Sequence, residues 1–142
     1  ADTPLAEVVT VTAYIDDMPT AYAGSDIAIT RAGALTVAEL TAVGLPALLV
    51  PFPFAADDHQ TANARVMADA GAGQLVQQVD WDDDTVVAWL SGLAADRGAL
   101  ATMARAARSL ARPQAASVLV DHLETIADSM PDDADRAHGG GR

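Results

Sequence analysis

The chain has 142 residues, 51% of them apolar, and a net charge of −12 with all eight basic residues arginine. This is one domain's length with enough apolar side chain for a core, and the acidic balance argues against holding nucleic acid or an anionic membrane through a basic face. There is no cysteine, which excludes a disulfide framework and thiolate metal sites, and three scattered histidines make a zinc site improbable.

The longest apolar run, residues 45–53, is too short to span a bilayer. No charged-then-apolar leader precedes Ala1, so the expectation is a cytosolic chain.

In chain order, "EVVTVTAYI" (7–15) predicts a strand that ends at Asp16-Asp17, followed by a capped start of a short helix with Pro19 in its first turn and Gly24 at its end. "DIAIT" (26–30) is a second strand. "ALTVAELTAVG" (34–44) has Leu35, Glu39/Leu40 and Val43 at helical spacing, with Gly44 as its stop. "PALLVPF" (46–52) is apolar throughout, as expected of a parallel strand covered on both faces. "HQTANARVMADAG" (59–71) is a helix capped by Asp58 and stopped by Gly71, and "GQLVQQV" (73–79) is a further strand.

After Asp80 the pattern is helical, with stripes at Val86, Leu90 and Leu93, at Leu100, Met103, Ala107 and Leu110, and at Leu119, Leu123 and Ile126. Asp82, Asp83 and Asp84 suit a helix N-terminus. "SMPDDADRAHGGGR" (129–142) has almost no apolar residues and predicts a disordered tail behind one domain over residues 1–128.

Alternating strands and helices with short connections imply an α/β fold with a parallel sheet. Ligands in such sheets sit outside the carboxyl ends of the strands. The Thr30–Thr36 turn and the "PFPFAADDHQ" loop (51–60) then share one rim. Gly33 permits close approach to the backbone, and the N–H groups of Ala34, Leu35 and Thr36 point out of a helix start that attracts anions, phosphate above all.

Glu39, a turn further on, can accept two hydrogen bonds from a diol such as a ribose. Thr36-x-x-Glu39 equally fits a capping box with no ligand. The 51–60 loop is long for a βα connection, where about two to six residues are usual. Its His59 and Gln60 suit the reading of sugar hydroxyls, or simply form a solvated first turn.

The run of "YIDDM", "RAGALTVAEL", "GLPALLVPFPFAADDHQTANA" and "AGAG" resembles the C-terminal domain of the MurG family, closely over residues 9–78 and more loosely to about residue 127. Those enzymes add N-acetylglucosamine to the lipid-linked muramyl-pentapeptide precursor of peptidoglycan. The resemblance implies a Rossmann-like parallel sheet with flanking helices, the C-terminal half of a GT-B glycosyltransferase, with UDP-N-acetylglucosamine as donor. By that resemblance Ile15 matches the position whose backbone reads uracil. Gly33, Ala34, Leu35 and Thr36 match the turn beside the diphosphate, Glu39 the carboxylate on the ribose, and His59 and Gln60 the pair on the sugar hydroxyls. Many relatives carry glutamine where His59 stands. Arg31, at the lip, either helps with the diphosphate charge or pairs with Asp26 at the surface.

The resemblance also implies that the acceptor domain, the general base, the membrane-facing patch and a glycine-rich diphosphate loop would lie upstream of Ala1. The chain alone is then expected to be inactive, with no catalytic residue of its own. Lipid I would be bound, and the cytoplasmic face of the inner membrane touched, through that missing domain. No cofactor and no metal are expected. Two other functions fit the same residues: a non-catalytic UDP-sugar-binding subunit of a two-chain transferase, and a GT-B transferase with another acceptor. A purely structural α/β domain is the remaining reading.

Overall fold

The computed structural model describes residues 8–129. They form two compact units, one up to Ala111 and one from Arg112 on. The first begins with α1 (Met18–Ala23), β1 (Ala28–Thr30), α2 (Ala34–Val43), β2 (Ala47–Leu49) and α3 (His59–Asp69). It continues with β3 (Gly73–Leu75), α4 (Asp83–Ala95) and α5 (Arg97–Ser109). The strands lie parallel in the order β1-β2-β3, in register Ala28–Ala47–Gly73 through Thr30–Leu49–Leu75. The second unit holds α6 (Ala115–Ser129), whose stripe residues Leu119, Leu123 and Ile126 are exposed.

β2 is the centre of the sheet and all three of its residues are buried, so side chains alternating to either face both meet protein. Ala47 and Leu49 join Leu40 of α2, Ala64 and Met67 of α3 and Ala107 of α5 in one core cluster. The preponderance of small side chains lets backbones come close. At Gly73 a Cβ would sit 2.2 Å from the Ala47 carbonyl oxygen, so the β2–β3 pairing admits no side chain there. The close of α2 needs glycine for a different reason. Gly44 takes φ +72° and returns its N–H to Leu40 and Thr41, while Arg108 of α5 donates to the Val43 carbonyl at 2.6 Å.

The caps follow the sequence reading in most places. Asp17 accepts from the Thr20 N–H at 3.1 Å, and Pro19 lies in the first turn of α1. Asp82 accepts from the backbone and the hydroxyl of Thr85, and these bonds hold its carboxyl below the usual value. Asp58 occupies the cap position of α3, but it has φ +51° and makes no side-chain cap bond, so the helix is not capped in the expected manner.

Two strand expectations are corrected. Residues 9–15 form no strand: they are exposed and irregular, with no pairing partner among the described residues, and a lone strand has no ladder to hold it. β3 stops at Leu75, because β2, its one neighbour among the described residues, is itself three residues long; Gln78–Asp80 turn into a 3-10 helix instead. The tail expected after Ser129 lies outside the described residues, Ser129 itself being the last residue of α6. None of the helices is long and apolar enough, among the described residues, to cross a membrane.

Candidate functional site

The carboxyl ends of β1 and β2 lead into the two segments expected to share a rim, and hydrogen bonds join them there. Gln60, in the first turn of α3, accepts from the Ala32 N–H at 3.2 Å and the Phe52 N–H at 2.9 Å through the same oxygen. Two backbone donors facing one atom fix it as the carbonyl oxygen, which leaves the amide nitrogen at the other position. Asn63, one turn along α3, donates to the Ala32 carbonyl at 3.0 Å. The fully buried Ala32 is thus gripped on both its N–H and its C=O by one helix face.

Arg31 braces the same pair of loops. Its guanidinium donates to the Val50 and Pro51 carbonyls at 3.3 and 3.1 Å and to Gln78 Oε1 at 2.7 Å, and lies 5.6 Å from the Phe52 ring centre. Asp26, the alternative partner weighed for it, pairs instead with Arg97 at 2.8 Å.

Gly33 is the N-cap of α2 and offers no side-chain cap. The first bond within the helix runs from the Val37 N–H to the Gly33 carbonyl, so the N–H groups of Ala34, Leu35 and Thr36 precede the ladder and point out of its start. Ala34 and Leu35 are exposed. The backbone at Gly33, φ −61° and ψ 146°, is open to any residue, and a Cβ there would meet nothing closer than Thr36 Oγ1 at 3.6 Å. Neither conformation nor packing demands glycine at this position. What the missing side chain leaves clear is the approach from solvent to three N–H groups at a positive helix end.

Because α2 begins at Ala34, Thr36 is its third residue and not its cap, which removes the capping-box reading of Thr36 and Glu39. Glu39 lies in the second turn, about 9 Å along the axis from the cap at the usual helical rise. It is half-buried, and its Oε2 accepts from the Tyr22 hydroxyl of α1 at 3.3 Å. Burial pushes the Tyr22 phenol above its ordinary value, and the neighbouring Glu39 charge adds to the shift, so the hydroxyl stays a donor. A cavity of about 150 Å³ opens between α1 and α2 against these two side chains, walled by Met18, Pro19, Ala42 and Val43.

The remaining expected residues, His59 and Ile15, are both exposed. His59 is exposed as the first residue of α3 and follows Asp57 and Asp58, both left-handed at φ +50° and +51°. Two successive left-handed aspartates set the direction in which α3 leaves the loop. Ile15 is 45% exposed in the irregular stretch ahead of α1, and no hydrogen bond joins it to the rim among the described residues. Sequence reasoning missed Tyr22, Asn63 and Gln78. Asn63 had a signal, its spacing of three from Gln60 on one helix face; the other two bonds span 17 and 47 residues and leave no trace in local pattern. Among the described residues no group of histidine and carboxylate side chains could hold a metal ion.

The carboxyl end of the sheet thus presents a doubly braced rim beside a bare helix start and a half-buried carboxylate. Residues 2–119 match the glycosyltransferase family 28 C-terminal domain, and the chain belongs to that family. It is 51% identical over 114 residues to the UDP-N-acetylglucosamine–N-acetylmuramyl-(pentapeptide) pyrophosphoryl-undecaprenol N-acetylglucosamine transferase of Burkholderia multivorans, covering 80% of this chain and 30% of that protein. The transferase of the same name from Thiobacillus denitrificans is 53% identical over 114 residues, with 80% and 31% covered. Among solved structures, the crystal structure of Acinetobacter baumannii MurG superposes with a TM-score of 0.75 at 42% identity, over 82% of this chain and 35% of that one. The chain therefore spans about a third of the length of the relatives it matches. The match supports the Rossmann-like, GT-B reading of the parallel sheet.

Proposed function

We propose that this chain is the donor-binding part of an inverting glycosyltransferase that moves N-acetylglucosamine from UDP to lipid I, yielding lipid II for peptidoglycan. In this reaction the C4 hydroxyl of the muramyl sugar attacks the anomeric carbon of the donor. The bond from that carbon to the diphosphate oxygen breaks, and UDP departs. The N–H groups of Ala34, Leu35 and Thr36 would hold the diphosphate and stabilise the charge it gains on leaving. Glu39 would accept from the ribose hydroxyls, Gln60 and His59 would contact the sugar, and the backbone at Ile15 would read the uracil edge. Arg31, committed to two carbonyls and Gln78, would serve mainly by keeping the rim in shape. The acceptor site, the general base and the contact with the cytoplasmic face of the inner membrane fall to the two thirds of the relatives' length that this chain does not span.

The observation that carries this reading is Gly33, a glycine that the fold does not need, at the mouth of an uncapped helix start. Transfer to lipid I in particular rests on the likeness to transferases of that name. Titration of UDP into the chain, with Glu39→Gln beside it, tests the nucleotide site. The glutamine can still accept from Tyr22, so thermal stability should move little. Loss of charge-assisted bonds to two hydroxyls, each about 1.5–3 kcal/mol, should weaken UDP by about tenfold or more. Equal affinity would remove Glu39 from the site. Supplying the remaining portion of a relative together with a lipid I analogue tests the reaction. Binding without turnover there would favour a non-catalytic subunit, and turnover by the chain alone would overturn the division of labour.

A further inference from the structure

We infer that Tyr22 is a positioning residue for the nucleotide's ribose: its hydroxyl holds the Glu39 carboxylate in the orientation that receives the diol. This rests on the reading of Glu39 given above and adds to it a residue from a different helix. Tyr22 lies on α1 and Glu39 on α2, so the 3.3 Å bond from hydroxyl to Oε2 is a tie between two elements. Tyr22 is half-buried, its ring packed against the core cluster, so the donor is presented from a fixed base. The Glu39 carboxylate accepts no other hydrogen bond among the described residues. Without Tyr22 its side chain would be free to rotate over the cavity between the helices.

The consequence for binding is entropic. A glutamate side chain has three rotatable torsions, and a carboxylate that must meet two hydroxyls at once loses that freedom on binding. A donor that orders it beforehand removes part of the cost. Tyr22 bonds one carboxylate oxygen through one lone pair, and the carboxylate keeps enough acceptor sites for both hydroxyls. The phenol carries no charge, so it orders the carboxylate without neutralising it.

The test compares UDP with 2′-deoxy-UDP in the 142-residue chain, in Tyr22→Phe, in Glu39→Gln and in the double variant. Phenylalanine retains the ring that packs on the core, and the ratio of the two affinities is measured within one protein, so a general loss of stability cancels. The unmodified chain should prefer UDP by about tenfold or more, and Glu39→Gln should abolish that preference. Tyr22→Phe should cut the preference by about three- to tenfold and weaken 2′-deoxy-UDP, which keeps only the 3′ hydroxyl, by less than it weakens UDP; it should add nothing in the Glu39→Gln background. A Tyr22→Phe chain with the full ribose preference, beside a Glu39→Gln chain that has lost it, overturns the role of Tyr22 and leaves Glu39 in place. A preference that survives Glu39→Gln, or no preference in the unmodified chain, overturns the Glu39 reading and the inference together.

Discussion

Gln60 is placed to do two things with one amide. Its oxygen joins the turn after β1 to the loop after β2 through the N–H groups of Ala32 and Phe52, while in the proposed function its nitrogen donates to the sugar. The two uses can be separated by substitution. Gln60→Ala leaves two backbone donors without their partner, at a cost of about 1–3 kcal/mol for each one kept from water, so both stability and affinity should fall. Gln60→Glu keeps an oxygen for the two N–H groups and strengthens those bonds with charge, but it removes the amide donor. Its melting temperature should stay near that of the unmodified chain, while affinity for UDP-N-acetylglucosamine drops more than affinity for UDP. Thermal melts and paired titrations check this; a Gln60→Glu chain that binds the sugar nucleotide normally would show that Gln60 only braces the rim.

At the scale of elements, stability and site draw on the same close approach of backbones. β2 and β3 touch where Gly73 faces Ala47, and a Cβ there would be 2.2 Å from a carbonyl oxygen. Gly73→Ala must push β3 away or tear its first ladder bond, so we expect a loss of about 1–3 kcal/mol, read as a lowered denaturation midpoint. An unchanged midpoint would mean that β3 shifts without cost. The elements themselves were mostly legible. A continuous apolar run announced β2, the aspartates at 16–17 and 82–84 announced their helices, and Gly44 announced the end of α2, because each acts through its own neighbours. The stretch 9–15 was misread, since its β-branched residues state a preference that only a pairing partner can realise. The geometry of the candidate site was legible in its local parts, the bare turn and the loop residues. The Tyr22–Glu39 and Arg31–Gln78 bonds join distant segments, and no periodicity encodes those.

Across the whole molecule, a chain of net charge −12 without a lysine is an unpromising holder of a diphosphate. In the proposed function, geometry takes the place of net charge. Parallel strands end together, α3 and Arg31 lock the loops that follow, and the start of α2 faces outward with its N–H groups in line. Fixed backbone dipoles can hold an anion where the overall field opposes it. The most direct measurement of that claim is the affinity of Gly33→Ala for UDP, taken with its melting temperature. The added methyl group meets nothing closer than 3.6 Å inside the protein, and the backbone already suits alanine. Any weaker capping is offset by the smaller entropy of the unfolded chain, so the melting temperature should move by only a few degrees. If the diphosphate rests against the Gly33–Thr36 turn, the same methyl group stands in its way, and UDP should bind about tenfold or more weakly. A Gly33→Ala chain that binds UDP as tightly as the unmodified one would contradict the account and place the nucleotide elsewhere.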